Sequence, residues 1–162
     1  MGEPGDPSMD VAIELAKAPT EEAIGLLDEL NTALAGYADD QRHALSIEQL
    51  FQSGVRFFLA RSNGVAVACG GVAIFDGYAE VKRMYSKPSV RGKGVAKALL
   101  HRIESEARGA GAAVLRLETG VHQQDALRFY EGAGFRRRGA FGPYATMPAR
   151  AIETSLFYEK PL

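Results

Sequence analysis

A single cysteine, Cys69, occurs in the 162 residues. It excludes an internal disulfide and leaves no second thiolate for a zinc site. The three histidines, His43, His101 and His122, do not stand at metal-ligand spacing from one another or from Cys69, so no metal is expected. Excess charge of either sign is missing: 19 Lys and Arg face 20 Asp and Glu, a formal net charge of −1. Nucleic-acid binding draws on counterion release at a clustered basic surface, so nucleic acid is not an expected partner. No apolar run approaches the roughly 18 residues of a membrane span, so a membrane is not one either. The opening MGEPGDPSMD lacks the basic and apolar parts of a signal peptide, and the cytoplasm is the expected compartment. Internal repeats and low-complexity tracts are also missing.

What remains is a chain of ordinary globular make-up, 46% apolar and 24% charged. Its length suffices to bury a full core. Residues 1–9 read as a disordered N-terminal tail, and 10–162 as one domain.

The periodicity changes along the chain. Val11–Pro19 alternates apolar and polar residues, which predicts a strand. Thr20 before Glu21 and Glu22 is a helix start, and Ile24, Leu27, Leu30 and Leu34 give that helix one apolar face, fading near Gly36. Ser46, with Gln49 placed for a capping box, opens a second, shorter helix. The period then turns to two. Strands are predicted over Val55–Arg61, Val65–Phe75 and Tyr78–Ser86, joined at Asn63-Gly64 and Asp76-Gly77, both hairpin turn signals. Period 3.6 returns with Val95, Leu99, Ile103 and Ala107; Arg102/Glu106 and Glu104/Arg108 form charge pairs on the outside, and Gly109 or Gly111 closes the helix. Ala112–Gly120 reads as a strand, Gln123–Gly132 as a helix, Phe135–Arg138 as a short strand with a solvated basic edge, Gly139–Glu153 as a long loop and Ser155–Lys160 as the last strand. The class is mixed α/β.

The chemistry concentrates between Tyr85 and Leu100. A strand, a short loop, two glycines and a helix follow one another there. The first N–H groups of a helix have no intrahelical partner, and the helix dipole adds about half a positive charge. Gly92 and Gly94 remove the side chains that would hold a phosphate away, and Arg91 and Lys93 add full charge. The expected ligand is a phosphate or pyrophosphate. The Walker pattern is absent, and the dinucleotide pattern fails because Lys97 stands where its third glycine belongs.

Arg91-x-x-Gly94-x-Ala96, behind a strand and Pro88, resembles the signature of the GNAT N-acetyltransferase superfamily. Ala79–Pro88 resembles the family's fourth strand and Leu117-Glu118-Thr119 its fifth. Gln123-x-x-Ala126-x-x-x-Tyr130 through Gly134-Phe135 resembles its second signature, with Gln123 where asparagine is common. The likeness runs over about residues 11–160. It implies a central, mostly antiparallel sheet of seven strands, splayed between the fourth and fifth, with four flanking helices. It implies acetyl-CoA as co-substrate without a metal. The pyrophosphate would lie on Arg91, Gly92, Lys93, Gly94, Val95, Ala96 and Lys97, and the pantetheine arm along Met84, Tyr85 and Ser86, with Gln123 and Ala126 on the second strand's side. An N–H of Met84–Ser86 would polarise the acetyl carbonyl.

Acetyl transfer to an amine sets two proton requirements. A lysine-like amine of pKa about 10.4 is neutral in only about one molecule in 2,500 at pH 7, so a base or a desolvating pocket is needed. The CoA thiolate, whose thiol has pKa about 8.5, leaves and takes up a proton. By the resemblance Tyr130 supplies that proton, and Glu80 or Glu118 is the base. Tyr130 also has the plain reading of a ring packed on Phe135, and Glu80 that of a strand residue paired with Lys82. For the acceptor the resemblance points to the first helix pair and the loop before the last strand, giving Tyr37, Arg83 and Tyr144, with His43, Phe141 and Met147 nearby. Lys82 or Arg83, pointing inward, would hold a substrate carboxylate, an arginine doing so in bidentate fashion, so a small amine or amino acid is favoured over a protein N-terminus or lysine. The rival class is a non-catalytic acetyl-CoA-binding domain. Homodimers are frequent in the family, and an exposed last strand would offer a pairing edge.

Overall fold

The computed structural model describes residues 10–162; the tail expected over 1–9 lies outside them. Seven strands form one sheet in the order β1-β2-β3-β4-β5-β7-β6. The strands are β1 (Ala12–Leu15), β2 (Val55–Ser62), β3 (Val65–Ile74), β4 (Tyr78–Ser86), β5 (Val114–Gly120), β6 (Arg136–Arg138) and β7 (Ser155–Pro161). Only β4 and β5 run parallel, and α3 (Val95–Gly109) makes the crossover between them. The other helices are α1 (Glu21–Ala33), α2 (Ile47–Leu50), α4 (Gln124–Gly132) and α5 (Ala149–Ile152).

Local signals act as read. The Thr20 hydroxyl accepts from the Ala23 N–H and caps α1. Ser46 and Gln49 form a reciprocal capping box on α2. Asn63 and Gly64 take left-handed backbone at the β2–β3 turn, as does Gly77 at the next. The prediction runs long on the first strand, because β1 is an edge strand paired only with residues 58–61 of β2. The loop 139–153 is not unstructured: it holds a 3-10 turn at Gly142–Thr146 and the four-residue α5, which makes five helices rather than four. The last strand, β7, is paired on both sides, with β5 and β6, so it offers no open edge.

Each face of the sheet buries its own core. Val72, Val81, Leu115, Leu117 and Tyr158 pack with Leu99 and Ile103 of α3 and Tyr130 of α4. Phe57, Leu59 and Cys69 pack with Ala23, Leu26 and Leu27 of α1 and Leu50 of α2. Glu104 departs from its expected place outside: it is buried on α3 and bonds the Lys160 ammonium at 2.7 Å.

One irregularity shapes the centre. Gly71 faces Lys82 and Cys69 faces Tyr85, so the single residue Gly70 opposes both Arg83 and Met84. This is a β-bulge, and Arg83 takes φ 56° to accommodate it. A Cβ on Gly70 would overlap the Met84 sulfur, so glycine makes room for the bulged strand. The extra residue sets Lys82 and Arg83 both toward the α1 face, while Met84 packs against the α3 core.

Candidate active site

β4 and β5 pair at only three positions, Tyr78–Val114, Ala79–Leu115 and Glu80–Arg116. Beyond Glu80 the strands part, and a cleft opens between them. It is lined by Glu80–Met84 of β4, Leu117–Gly120 of β5, Leu30 of α1, the segment Tyr37–Ala44, and Gln123, Ala126 and Tyr130 at α4. Its cavity volume of about 150 Å³ matches the engineered cavity of similar size that takes a benzene ring.

After the end of β4 a glycine-bearing loop leads into α3. Gly92 and Gly94 take left-handed backbone, φ 77° and 85°, and both have open space where a side chain would stand. Gly94 is the N-cap of α3, and no side chain caps the helix. The N–H groups at the start of α3 are thus presented outward. Lys93 and Lys97 are exposed beside them, and the Arg91 guanidinium is fixed by the Ser86 carbonyl at 3.2 Å. The side chains of Tyr85 and Lys87 turn to Glu29 of α1, at 3.0 and 2.9 Å, which pins this end of β4; Met84 lines the cleft, whereas Tyr85 and Ser86 do not.

Two glutamates face the cleft in different states. Glu80 is 3% exposed. Its Oε2 accepts from the Tyr144 hydroxyl at 2.6 Å and forms an ion pair with the Lys82 ammonium at 2.8 Å, and Lys82 donates to the Tyr144 oxygen at 2.8 Å. The strand pairing read for Glu80 and Lys82 is present, yet buried rather than solvated. Glu118 accepts only the Ser155 hydroxyl, at 2.7 Å on Oε2. Burial raises its carboxyl above the usual carboxylate range; the Ser155 hydrogen bond, His43 and Lys82 pull it partly back, and Glu80 pushes it up.

Tyr130 lines the cleft with its ring 7% exposed, packed edge-on against Phe129 and Phe135 at 5.3 and 5.5 Å. The packing read for this residue is present, at the cleft wall. Burial pushes its phenol well up, so it stays an O–H donor. Tyr37 also lines the cleft; its hydroxyl accepts from the His122 N–H at 2.9 Å and sits over Gly120, where a Cβ would overlap its ring. His122 itself is exposed and stacks its ring on Tyr37 at 5.6 Å. Arg83 lines the cleft but reaches under α1, donating to Asn31 Oδ1 at 2.5 Å and to the Leu27 carbonyl at 3.5 Å. Its Nε and one Nη are buried without a hydrogen-bond partner.

The expectation for Tyr144 needs correction. It does not line the cleft but stands behind Glu80 and Lys82, in a cluster with Phe141 and Phe157. The aromatic loop turns inward because its rings bury one another, at 5.2 to 5.7 Å. Sequence reading paired Lys82 with Glu80 but missed Tyr144 as the partner of both. It also missed the anchoring of the Tyr37–Ala44 segment: Gln41, His43 and Asp40 bond the Arg150 carbonyl, the Ala151 carbonyl and the Arg150 guanidinium, at 3.0, 2.6 and 3.0 Å. No group of three or more metal-ligating side chains is present among the described residues.

Comparison with known proteins agrees with this geometry. The sequence model described as Acetyltransferase (GNAT) family matches residues 15–135. An IAA acetyltransferase of Azospirillum brasilense is 42% identical over 160 residues, spanning 96% of this chain and 99% of that protein. The uncharacterised N-acetyltransferase YsnE of Bacillus subtilis is 33% identical over 115 residues, 69% of this chain and 76% of its own. Among solved structures, a provisionally named acyl-CoA N-acyltransferase from Klebsiella pneumoniae superposes with a TM-score of 0.75 at 34% identity, over 94% of this chain and 97% of the other. The PaiA N-acetyltransferase of Thermoplasma acidophilum, solved with coenzyme A, shares the fold at 22% identity and a TM-score of 0.70, over 93% and 99% of the two chains.

Proposed function

The chain belongs to the GNAT acetyltransferase family, and from that premise we propose that it moves the acetyl group of acetyl-CoA onto the primary amine of a small molecule in the cytoplasm. The observation that carries the reading is the parting of β4 and β5 next to an uncapped, glycine-cradled helix start. The cradle, Arg91 through Lys97, suits the pyrophosphate. The β4 edge at Met84–Ser86, which no strand covers among the described residues, suits the pantetheine amides, with Gln123 and Ala126 opposite.

Of the two carboxylates, Glu118 is the better base. Glu80 is held by a cation and a phenol, whereas Glu118 gives up one oxygen to Ser155 and keeps the other for the cleft. Its raised affinity for a proton suits it to take one from an ammonium near neutral pH. Glu118 passes this first proton to solvent; the freed nitrogen attacks the acetyl carbonyl, the new C–N bond forms, the adduct gives its second N–H proton to Glu118, and the C–S bond breaks. Tyr130 meets the departing thiolate as an O–H donor; the thiolate takes up that proton, and solvent returns one to the phenolate. Cys69 is buried in the core under α1 and does not line the cleft, its thiol pushed up to about 12 by burial, so direct transfer fits better than an acetyl-cysteine intermediate. Tyr37 and Arg83 border the acceptor space, which is sized for a small amine or amino acid. The relative of Azospirillum brasilense, named for IAA, supports a small-molecule acceptor over a protein one. Every group named comes from one chain.

The test is release of free CoA from acetyl-CoA against amino acids, aromatic acids, polyamines, aminoglycosides and peptides. Acceptor-dependent release is expected for a small amine. Tyr130→Phe should lower kcat while acetyl-CoA affinity by calorimetry stays unchanged. Bound acetyl-CoA with no release across the panel, and indifference to Tyr130→Phe, would turn the reading toward a non-catalytic acetyl-CoA-binding domain.

A further inference from the structure

Two carboxylates in one small, partly dry cleft repel each other, and one of them ordinarily keeps its proton. A base that already carries its proton is of no use. The structure carries a device against this. Glu80 and Lys82 are two residues apart on β4 and so share a face. Lys82 Nζ lies 2.8 Å from Glu80 Oε2 and 2.8 Å from the Tyr144 oxygen, and Tyr144 closes the ring to Glu80 at 2.6 Å. The side chains of Lys82 and Glu80 are 11% and 4% exposed, so little water screens the ammonium. It donates to Tyr144, pairs with Glu80 and lines the cleft that it shares with Glu118.

We propose that Lys82 is a positioning residue for Glu118: its ammonium, fixed by Glu80 and Tyr144, lets two carboxylates share the cleft while Glu118 remains able to take the acceptor's proton. The proposal rests on the reading of Glu118 as base. The groups facing Glu118 are Lys82 and Glu80 from β4, Tyr37 and His43 from the segment after α1, Ser155 from β7 and Tyr144 from the loop before α5. Arg83 is turned to Asn31, and Arg42 pairs with Asp39. Lys82 is therefore the cation in this circle whose position does not depend on an exposed side chain or on a histidine's protonation.

The experiment is the carboxyl 13C titration of Glu118 by NMR in glutamate-labelled protein, the signal assigned by its loss in Glu118→Gln. Lys82→Met should move the Glu118 midpoint to higher pH. Glu80→Gln should move it lower, and the double variant should return it toward wild type. Lys82→Arg, which keeps the cation, should hold the midpoint near wild type and covers the case in which Lys82→Met fails to fold. A Lys82→Met or double-variant titration that contradicts this order, or a Lys82→Arg midpoint far above wild type, overturns the proposal. If the order holds while Glu118→Gln retains full turnover, the electrostatic circle stands and the base assignment falls.

Discussion

Glu118 illustrates how one carboxyl links stability to activity. Its folded-state affinity for protons is raised, chiefly by burial. The folded state then binds more protons than the unfolded one between the ordinary glutamate range and the raised value, so stability falls as pH rises through that window. Glu118→Gln removes the charged form. The variant should melt higher than wild type at pH 8, and the difference should shrink as pH falls below the ordinary glutamate range. Calorimetry at pH 4 and pH 8 measures it, and equal melting temperatures at pH 8 would contradict the burial argument. Turnover of the same variant should fall by about 10² to 10⁴, the usual worth of a general base. A residue that costs stability where it works is what a functional site leads one to expect.

At the scale of elements, much of the fold was legible because local chemistry and tertiary role agree. β4 has the bounds that its alternation predicts, and α3 begins at the residue after the second glycine. The backbone of the signature loop was legible because glycine favours left-handed backbone and a helix start without a capping side chain can be read locally. The rest depends on contacts the sequence does not carry. Glu80 and Tyr144 are 64 residues apart, and no spacing rule joins them. The bulge at Arg83 asks for positive φ at a residue with no turn signal around it, so a regular strand was the natural reading. The four-residue α5 is too short to show a period. The Gly94 N-cap gives a direct test of the cradle. Gly94→Ala places a Cβ on backbone at φ 85°, which costs about 1–2 kcal/mol. It should lower the chemical-denaturation midpoint modestly and weaken acetyl-CoA binding more than it changes the KM of the acceptor. Unchanged CoA affinity would remove the cradle from the cofactor site.

For the molecule as a whole, the cofactor reading predicts coupling between ligand and fold. Acetyl-CoA at 100 times its Kd adds about 2.7 kcal/mol to stability. For a chain of this size each kcal/mol moves Tm by about 2–4 °C, so a rise of about 5–10 °C is expected in a thermal melt. ATP and NAD at the same concentration should leave Tm unmoved, because they lack the pantetheine arm that the β4 edge would pair. No helix among the described residues is long and apolar enough to cross a membrane.

The three-rung seam between β4 and β5 has a consequence for how the chain divides. On one side of it lie β1 to β4 with α1, α2 and α3; on the other lie β5, α4, β6, α5 and β7. The chain crosses the seam once, through the exposed turn at Gly109–Gly111. A cut there yields two fragments whose sheet contact is the three β4–β5 rungs, with the α3 core closing beneath. A ligand that bridges both banks of the cleft is expected to tighten the association of the two fragments, which a split-reporter titration with acetyl-CoA measures.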